Sequence, residues 1–304
     1  MNASRESCEQ LSTSGGEPTG SLLTRNLSEW IRVVSFLCAL LIVPIHASFL
    51  GQSVELSSLD RAVMTVLSDG VCRVAVPIFF VISGFFLSIG WRKNQGKSWY
   101  FPLLKKRLRT LYVPFVLWNV IYFSFQLVNG KGWGQFSERI LGWNLFVKPA
   151  CMQFWFLQTL FVSVLLAPVF VWIFRKRVLG CVTLIALLVL SFYFKLTQVL
   201  QLSNFFFISL GVLLGFNIEC FAGIVARIPA PPRWLLPIAG YSFFLYAAHY
   251  IFINLATKAL SPCPLPVLVM YFAKIAVGIV FSIVAAALVK RYLAKAYGLL
   301  TGGR

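Results

Sequence analysis

The chain has 304 residues, of which 59% are hydrophobic and 12% charged, and its mean hydropathy is +0.82. This composition excludes an ordinary water-soluble domain and is typical of a polytopic membrane protein. The net charge of +18 could suggest a nucleic-acid-binding protein, but the basic residues flank apolar segments and form no polar face. We therefore expect anionic membrane lipids as partners, and no nucleic acid.

Eight apolar segments are long enough to cross a bilayer. They cover residues 30–50, 74–90, 111–128, 154–174, 178–194, 203–220, 235–256 and 266–289. The segment 221–228 is too short to span alone, and a longer relative could hold extra helices there. The predicted fold is therefore an all-α, polytopic transmembrane helix bundle of about 8 to 10 helices.

Residues 1–24 are rich in Ser, Thr, Gly and Glu and lack the basic start and apolar core of a signal peptide. They predict a disordered cytoplasmic tail, followed by a transmembrane domain over residues 25–298 and a second cytoplasmic tail over residues 299–304.

The distribution of Lys and Arg predicts the orientation, because basic residues are retained on the cytoplasmic side. With a cytoplasmic amino terminus, 19 of the 27 basic residues lie in inner segments and 7 in outer ones, and Lys274 lies inside the last span. We therefore expect a multi-pass protein of the inner (cytoplasmic) membrane with both termini in the cytoplasm.

Each of the two histidines lies in a predicted span, His46 in the first and His249 in the seventh. Imidazole exchanges protons near neutral pH, and polar groups in a membrane usually face a protein interior or a cavity. At 1.5 Å per residue, His46 lies about 24 Å from Trp30 and His249 about 21 Å from Leu235. The two histidines are therefore at similar depth and could share a site.

Two groups of charged residues are expected at the inner boundary. Glu29 and Arg32 share a helix face and could pair there, although Arg32 could equally be a snorkelling side chain that marks the helix end. A loop after the second span contains Lys105, Arg107 and Arg109, which could hold phosphate groups or simply fix the topology.

Other polar residues in or near the spans have both a functional and a structural interpretation. Tyr246 shares a helix face with His249, and His249 could bind substrate or merely bond a neighbouring helix. Lys274 lies deep enough in the last span to require a cavity or a partner. In the second span, the pair Ser83-Gly84 predicts close helix packing, because the G-x-S-x-G pattern of a serine nucleophile is absent.

Several motifs follow one another in a defined order along nearly the whole chain. They are Glu29-x-x-Arg32 with His46 in the first span, FFVISGFF at 79–86, KKRLR at 105–109 before a span containing Pro114, FWFL at 154–157, ISLGVLLG at 208–215 and YSFFLYAAH at 241–249. Each motif is common in membrane helices, but the ordered combination resembles the acyltransferase type 3 family of integral-membrane O-acyltransferases.

The resemblance implies transfer of an acyl group, often acetyl from acetyl-CoA, to hydroxyls of extracytoplasmic polysaccharides or lipid-linked glycans. It implies that His46 is the essential histidine, with Arg32 as its partner cation and Glu29 beside it. Two departures from the family pattern stand out. Arg32 and His46 are three residues farther apart than usual, since the usual spacing would place the Arg at the position of Ser35. The chain is also shorter than usual by about one helical pair.

The expected reaction uses acyl-CoA as a co-substrate and no tightly bound cofactor. The phosphates of acyl-CoA would lie near Lys105, Arg107 and Arg109, while His46 acts as general base on the acceptor hydroxyl. A covalent acyl-histidine relay is the alternative to direct transfer. Arg73, Tyr246, His249 and Lys274 are the further substrate-binding candidates, although Arg73 could simply pair with Asp69 one turn away.

Two other classes of protein are alternatives to an acyltransferase. A transporter or flippase of lipid-linked glycans would also need polar groups in the membrane, but self-similar halves are not evident in the sequence. A structural scaffold would give no reason for two histidines at one depth. No metal site is expected, because the cysteines lack metal-ligand spacing.

Overall fold

The computed structural model describes residues 24–48, 56–94, 98–130 and 149–303. Within these ranges the regular structure is helical and contains no β-strand. The predicted tail lies outside the described residues except for Thr24, so its disorder stays a prediction. Thr24 is the N-cap of the first helix, where its hydroxyl accepts from the amide of Leu27.

The helices in chain order are α1 (Arg25–Ala47), α2 (Ser58–Arg92), α3 (Tyr100–Val128), α4 (Trp155–Leu165), α5 (Ala167–Phe174), α6 (Arg177–Tyr193), α7 (Leu202–Phe216), α8 (Ser242–Leu260), α9 (Val267–Tyr292) and α10 (Ala294–Thr301). Shorter helical turns are Met152–Phe154, Ile218–Phe221, Ala222–Ala226 and Leu235–Ala239. Helices α2 and α3 each contain a π-helical stretch, Thr65–Val71 and Leu108–Tyr112.

Five helices in the described ranges, α1, α2, α3, α8 and α9, are each long and apolar enough to cross a membrane. Two bent pairs could each form one more span: α4 with α5, at 63°, and α7 with the turns that follow it, at 75°. Helix α6 is apolar but shorter, with 17 residues. Each predicted segment coincides with one of these units, which confirms the all-α membrane bundle.

Two spans begin earlier than the sequence predicted. Helix α2 begins at Ser58 and not at residue 74, because Ser57 and Asp60 form a capping box that starts the helix in a polar stretch. Helix α3 begins at Tyr100 and not at residue 111. The basic segment 105–109 is therefore helical, and its prediction as a loop was wrong, because hydropathy locates the membrane-embedded part of a helix and not its ends.

Helices α2 and α7 pack backbone against backbone. A Cβ atom added to Gly84 would lie 2.0 Å from the carbonyl oxygen of Ile208, and one added to Gly211 would lie 2.0 Å from that of Val81. This reciprocal contact confirms the close packing predicted at Gly84, since small residues allow membrane helices to approach. Ser83, its neighbour, lines a cavity instead.

Helix α1 lies at the centre of the bundle, where it packs against α2, α8 and α9. The packing is close at Gly278 of α9, where an added Cβ would lie about 3 Å from side-chain atoms of both Val43 and Ile253. This arrangement sets the His46 region of α1 against the His249 region of α8.

The carboxyl-terminal helix α10 folds back onto α3. The indole of Trp118 donates a hydrogen bond of 3.0 Å to the carbonyl of Leu300, and Thr301 is buried. The boundary predicted after residue 298 falls inside this helix, so the predicted cytoplasmic tail begins as packed helix.

Candidate active site

The two histidines meet inside the bundle. The ring centroids of His46 and His249 lie 5.2 Å apart with an angle of 41° between the planes. The ring of Tyr250 lies edge-on to His46 at 5.7 Å. Similar depth on two packed helices therefore does bring these side chains to one place, as the helix rise suggested.

His249 is wholly buried, and its two ring nitrogens are in different surroundings. Nδ1 lies 3.0 Å from the carbonyl oxygen of Leu245, and a carbonyl can only accept, so Nδ1 carries the proton. Nε2 is buried without a hydrogen-bond partner among the described residues and offers a lone pair toward the protein interior. His46 is half-buried and can meet a substrate more easily.

A cavity of about 760 Å³ opens among the amino-terminal ends of α1, α3 and α8, the carboxyl-terminal end of α2 and α4. We call it the inner cavity. Its lining includes four cations: Arg32, Lys93, Lys106 and Arg107. The described lining contains no carboxylate, so this cavity suits an anionic ligand.

The inner cavity changes from basic to apolar along its length. Phe79 precedes Lys93 by fourteen helical residues, which is about 21 Å along α2. Phe79 lies at the apolar end, where its ring contacts Phe156, and the rings of Phe156 and Phe243 both contact Tyr246. Tyr246 is one helical turn before His249, so the apolar end points toward the histidine pair.

A second cavity of about 720 Å³, the outer cavity, lies at the opposite ends of α3, α4 and α8. Tyr122, Phe125, Trp155 and Tyr250 are its aromatic lining residues. Its carboxamides are Gln126, Asn129, Gln158, Gln198 and Asn254. Tyr250 lines this cavity and contacts His46, whereas Tyr246, one helical turn away on α8, lines the inner cavity. The histidine pair therefore lies between the two cavities, although neither histidine belongs to the described lining of either one.

A buried hydrogen-bond network separates the cavities. Tyr246 donates at 2.6 Å to the backbone carbonyl of Gln153, and the Gln153 side chain donates at 3.1 Å to the Tyr122 hydroxyl. Tyr122 in turn donates at 3.0 Å to the carbonyl of Ala247. Sequence reasoning missed Gln153 and Tyr122, although an isolated Gln beside an aromatic, apolar segment is a signal for a buried polar contact.

Arg32 does not meet His46. The two residues are fourteen positions apart in one helix, which is about 21 Å along its axis, and Arg32 lines the inner cavity. Arg32 does not pair with Glu29 either, which leaves the snorkelling interpretation of Arg32 as the one the structure agrees with. Glu29 instead accepts from Arg25 at 2.8 Å, because Arg25 lies one turn before it on the exposed face.

The basic segment 105–109 is divided by the helix that it forms. Arg107 lines the inner cavity, whereas Lys105 and Arg109 are exposed and lie outside its lining. Lys106 lines the cavity, although the sequence analysis did not predict it as a phosphate-binding residue. The cause is geometric, since successive helical residues point about 100° apart.

The remaining candidates lie away from the cavities or deep in the bundle. Arg73 is exposed, and its Nη2 lies 2.6 Å from Oδ1 of Asp69. This confirms the pairing of Arg73 with Asp69, so Arg73 is not a free binding group. Lys274 is wholly buried one turn before Gly278, whose neighbours are Val43 and Ile253. Lys274 therefore faces α1 and α8.

A polar site with one cavity on each side, inside an all-α membrane bundle, is the arrangement of an enzyme or a transporter and not of a scaffold. A comparison with known families places the chain in one of them. The chain belongs to the acyltransferase type 3 family, whose model, described as an acyltransferase domain, matches residues 28–228. The matched range ends before α8, so His249 lies beyond it.

The chain is also similar to the succinoglycan biosynthesis protein ExoH of Rhizobium meliloti (strain 1021). It is 26% identical over 187 residues, which cover 57% of this chain and 47% of the relative. The chain thus spans about half the length of the relative that it matches. No solved structure matches the chain significantly.

Proposed function

We propose that the protein transfers an acyl group, with acetyl as the expected one, from acyl-CoA to a hydroxyl of an extracytoplasmic polysaccharide or lipid-linked glycan. The observation that carries this proposal is the His46–His249 pair between a basic cavity and a cavity of carboxamides and aromatic rings. The relative's name, which refers to succinoglycan biosynthesis, supports a polysaccharide acceptor.

The inner cavity is the proposed donor site. The phosphates of CoA would lie against Arg32, Lys93, Lys106 and Arg107, since guanidinium and ammonium groups bind phosphate by charge-assisted hydrogen bonds. The pantetheine arm would extend through the apolar end past Phe79 toward Tyr246. The thioester then approaches the histidine pair from the cytoplasmic side.

His46 is the proposed general base. It takes the proton of the acceptor hydroxyl while the oxygen attacks the thioester carbonyl, the C–S bond then breaks, and the proton passes to the departing thiolate. His249 holds the His46 ring in place, and the buried ammonium of Lys274 is the proposed cation for the developing oxyanion. The products are an O-acyl ester and free CoA.

Thiol release tests this function. The purified protein in nanodiscs is given acyl-CoA with and without a bacterial exopolysaccharide such as succinoglycan, and free thiol is measured. We expect release that increases when the polysaccharide is added, and an ester on the polysaccharide in equal amount. A transporter or flippase moves its glycan without consuming acyl-CoA, so the absence of thiol release with every acceptor would favour that alternative.

Paired substitutions in the basic segment test the donor site. We expect Lys106→Gln with Arg107→Gln to weaken apparent acyl-CoA affinity about 10- to 100-fold, because two charge-assisted contacts are lost. The turnover number should change little, because the phosphates are far from the reacting carbon. The measurement is the dependence of thiol release on acyl-CoA concentration, together with the yield of protein in the membrane.

The matched control is Lys105→Gln with Arg109→Gln, which removes two charges from the same helix outside the cavity. This variant should keep the affinity of the unaltered protein. If both double variants lose affinity equally, or if both only lower the membrane yield, the segment serves topology and is not the donor site.

The proposed location is the inner membrane with both termini in the cytoplasm. Reporter fusions after Arg177 and at the carboxyl terminus should both give a cytoplasmic signal, because basic residues predominate in these segments. An extracytoplasmic signal from the carboxyl-terminal fusion would mean an odd number of spans and would place the inner cavity on the wrong side for acyl-CoA.

A further inference from the structure

We infer that the outer cavity binds the acceptor as a neutral oligosaccharide, with its sugar rings against aromatic side chains and its hydroxyls on carboxamides. The role as acceptor rests on the proposed function, whereas the binding of sugar can be measured without it. The volume of about 720 Å³ is within the range of ligand pockets, so a short oligosaccharide fits.

The charges of the cavity favour an uncharged ligand. The described lining includes no carboxylate and one cation, Lys258, whose ammonium donates to the side-chain oxygen of Asn129. A sugar with a carboxylate or phosphate on each residue would require several cations, and the described lining offers one. The inner cavity, with four cations, shows what an anionic site in this protein contains.

The carboxamides are oriented to bind hydroxyl groups. Gln126 donates its amide N–H to the carbonyl of Ala150 at 3.1 Å, and Asn254 donates to the carbonyl of Tyr250 at 2.8 Å. In both cases the side-chain oxygen has no partner among the described residues. Each oxygen can therefore accept from a sugar hydroxyl, and each is held in place by the bond that its own N–H makes.

The aromatic residues of the cavity can contact the apolar surface of a sugar ring. Trp155 and Tyr250 line the cavity, and rings of this kind have apolar faces and a polar edge, which suit the alternating C–H and O–H surface of a pyranose. Tyr250 also lies 5.7 Å from His46, measured between ring centroids. Tyr250 therefore connects the wall of the cavity to the proposed general base.

The binding site is tested by calorimetric titration of the full-length protein in nanodiscs. The probes are neutral tetrasaccharides of gluco, galacto and manno configuration, with trigalacturonate as the anionic probe. We expect at least one neutral tetrasaccharide to bind at millimolar concentration or below, and more tightly than trigalacturonate. Preference for trigalacturonate, or binding of no neutral probe, would overturn the inference.

Two variants locate the binding. Gln126→Leu with Asn254→Leu should weaken the sugar affinity about tenfold, since two hydrogen bonds are lost. Gln198→Leu, at an exposed position that places no demand on folding, should weaken it about threefold. The control Gln201→Leu changes a carboxamide outside the lining and should leave the affinity unchanged. Equal affinity in all variants would also overturn the inference.

Acyl-CoA binding, titrated in the same samples, separates this inference from the proposed function. Sugar binding without acyl-CoA binding would contradict the proposed function and leave the sugar site standing. Acyl-CoA binding without sugar binding would contradict the sugar site alone.

Discussion

Replacing His46 with alanine is expected to abolish acyl transfer while the protein stays folded in the membrane. Removal of a general base typically costs 10²- to 10⁴-fold in rate, and His46 is half-buried, so its loss leaves no buried charge. The measurement is the rate of ester formation at saturating acyl-CoA, with the thermal unfolding temperature recorded on the same sample.

His249→Ala is the comparison for this prediction. We expect a smaller loss of about 10- to 100-fold, because His249 touches the base and does not take the substrate proton. Since its ring is wholly buried, a lower unfolding temperature should accompany the change. Full activity of His46→Ala, or a larger loss in His249→Ala, would reassign the base.

Gly211→Ala is expected to cause a large loss of stability. The new Cβ would lie 2.0 Å from the carbonyl oxygen of Val81, and the contact is with backbone, which cannot rotate away. Overpacking usually costs about 1–3 kcal/mol and occasionally more, and here both helices must separate. We expect a fall of roughly 5 °C or more in the unfolding temperature, with a reduced membrane yield.

Gly90→Ala provides the control. Gly90 belongs to α2, the helix that faces Gly211, but an added Cβ there meets nothing within 4 Å in the described structure. Alanine should therefore leave the unfolding temperature unchanged or raise it slightly, since glycine weakens a helix interior. If Gly211→Ala were as stable as Gly90→Ala, the backbone contact between α2 and α7 would be incorrect.

The histidine pair could be predicted from the sequence because it depends on two regular quantities. The rise of a helix fixes the depth of each residue, and a lone imidazole in an apolar segment must face inward. The same reasoning does not predict which basic residue pairs with Glu29. Arg25 and Arg32 lie four and three positions away on the same face, and the sequence alone did not decide between them.

The lining of the cavities could not be predicted in the same way. The sequence located a basic segment at the membrane boundary, but the side chains that enter the inner cavity depend on the phase of α3, which includes the π-helical turns Leu108–Tyr112. The outer cavity assembles side chains from α3, α4, the 198–199 turn and α8. No local pattern specifies which of these segments become neighbours.

The most direct test of the account is transfer across a sealed membrane. Proteoliposomes hold the tightest-binding neutral tetrasaccharide inside, and labelled acetyl-CoA is added outside. We predict labelled ester on the trapped sugar, and none when both substrates are outside only, because the two cavities open on opposite sides of the histidine pair. Equal labelling with both substrates on the outside would contradict a donor site and an acceptor site at opposite ends of the bundle.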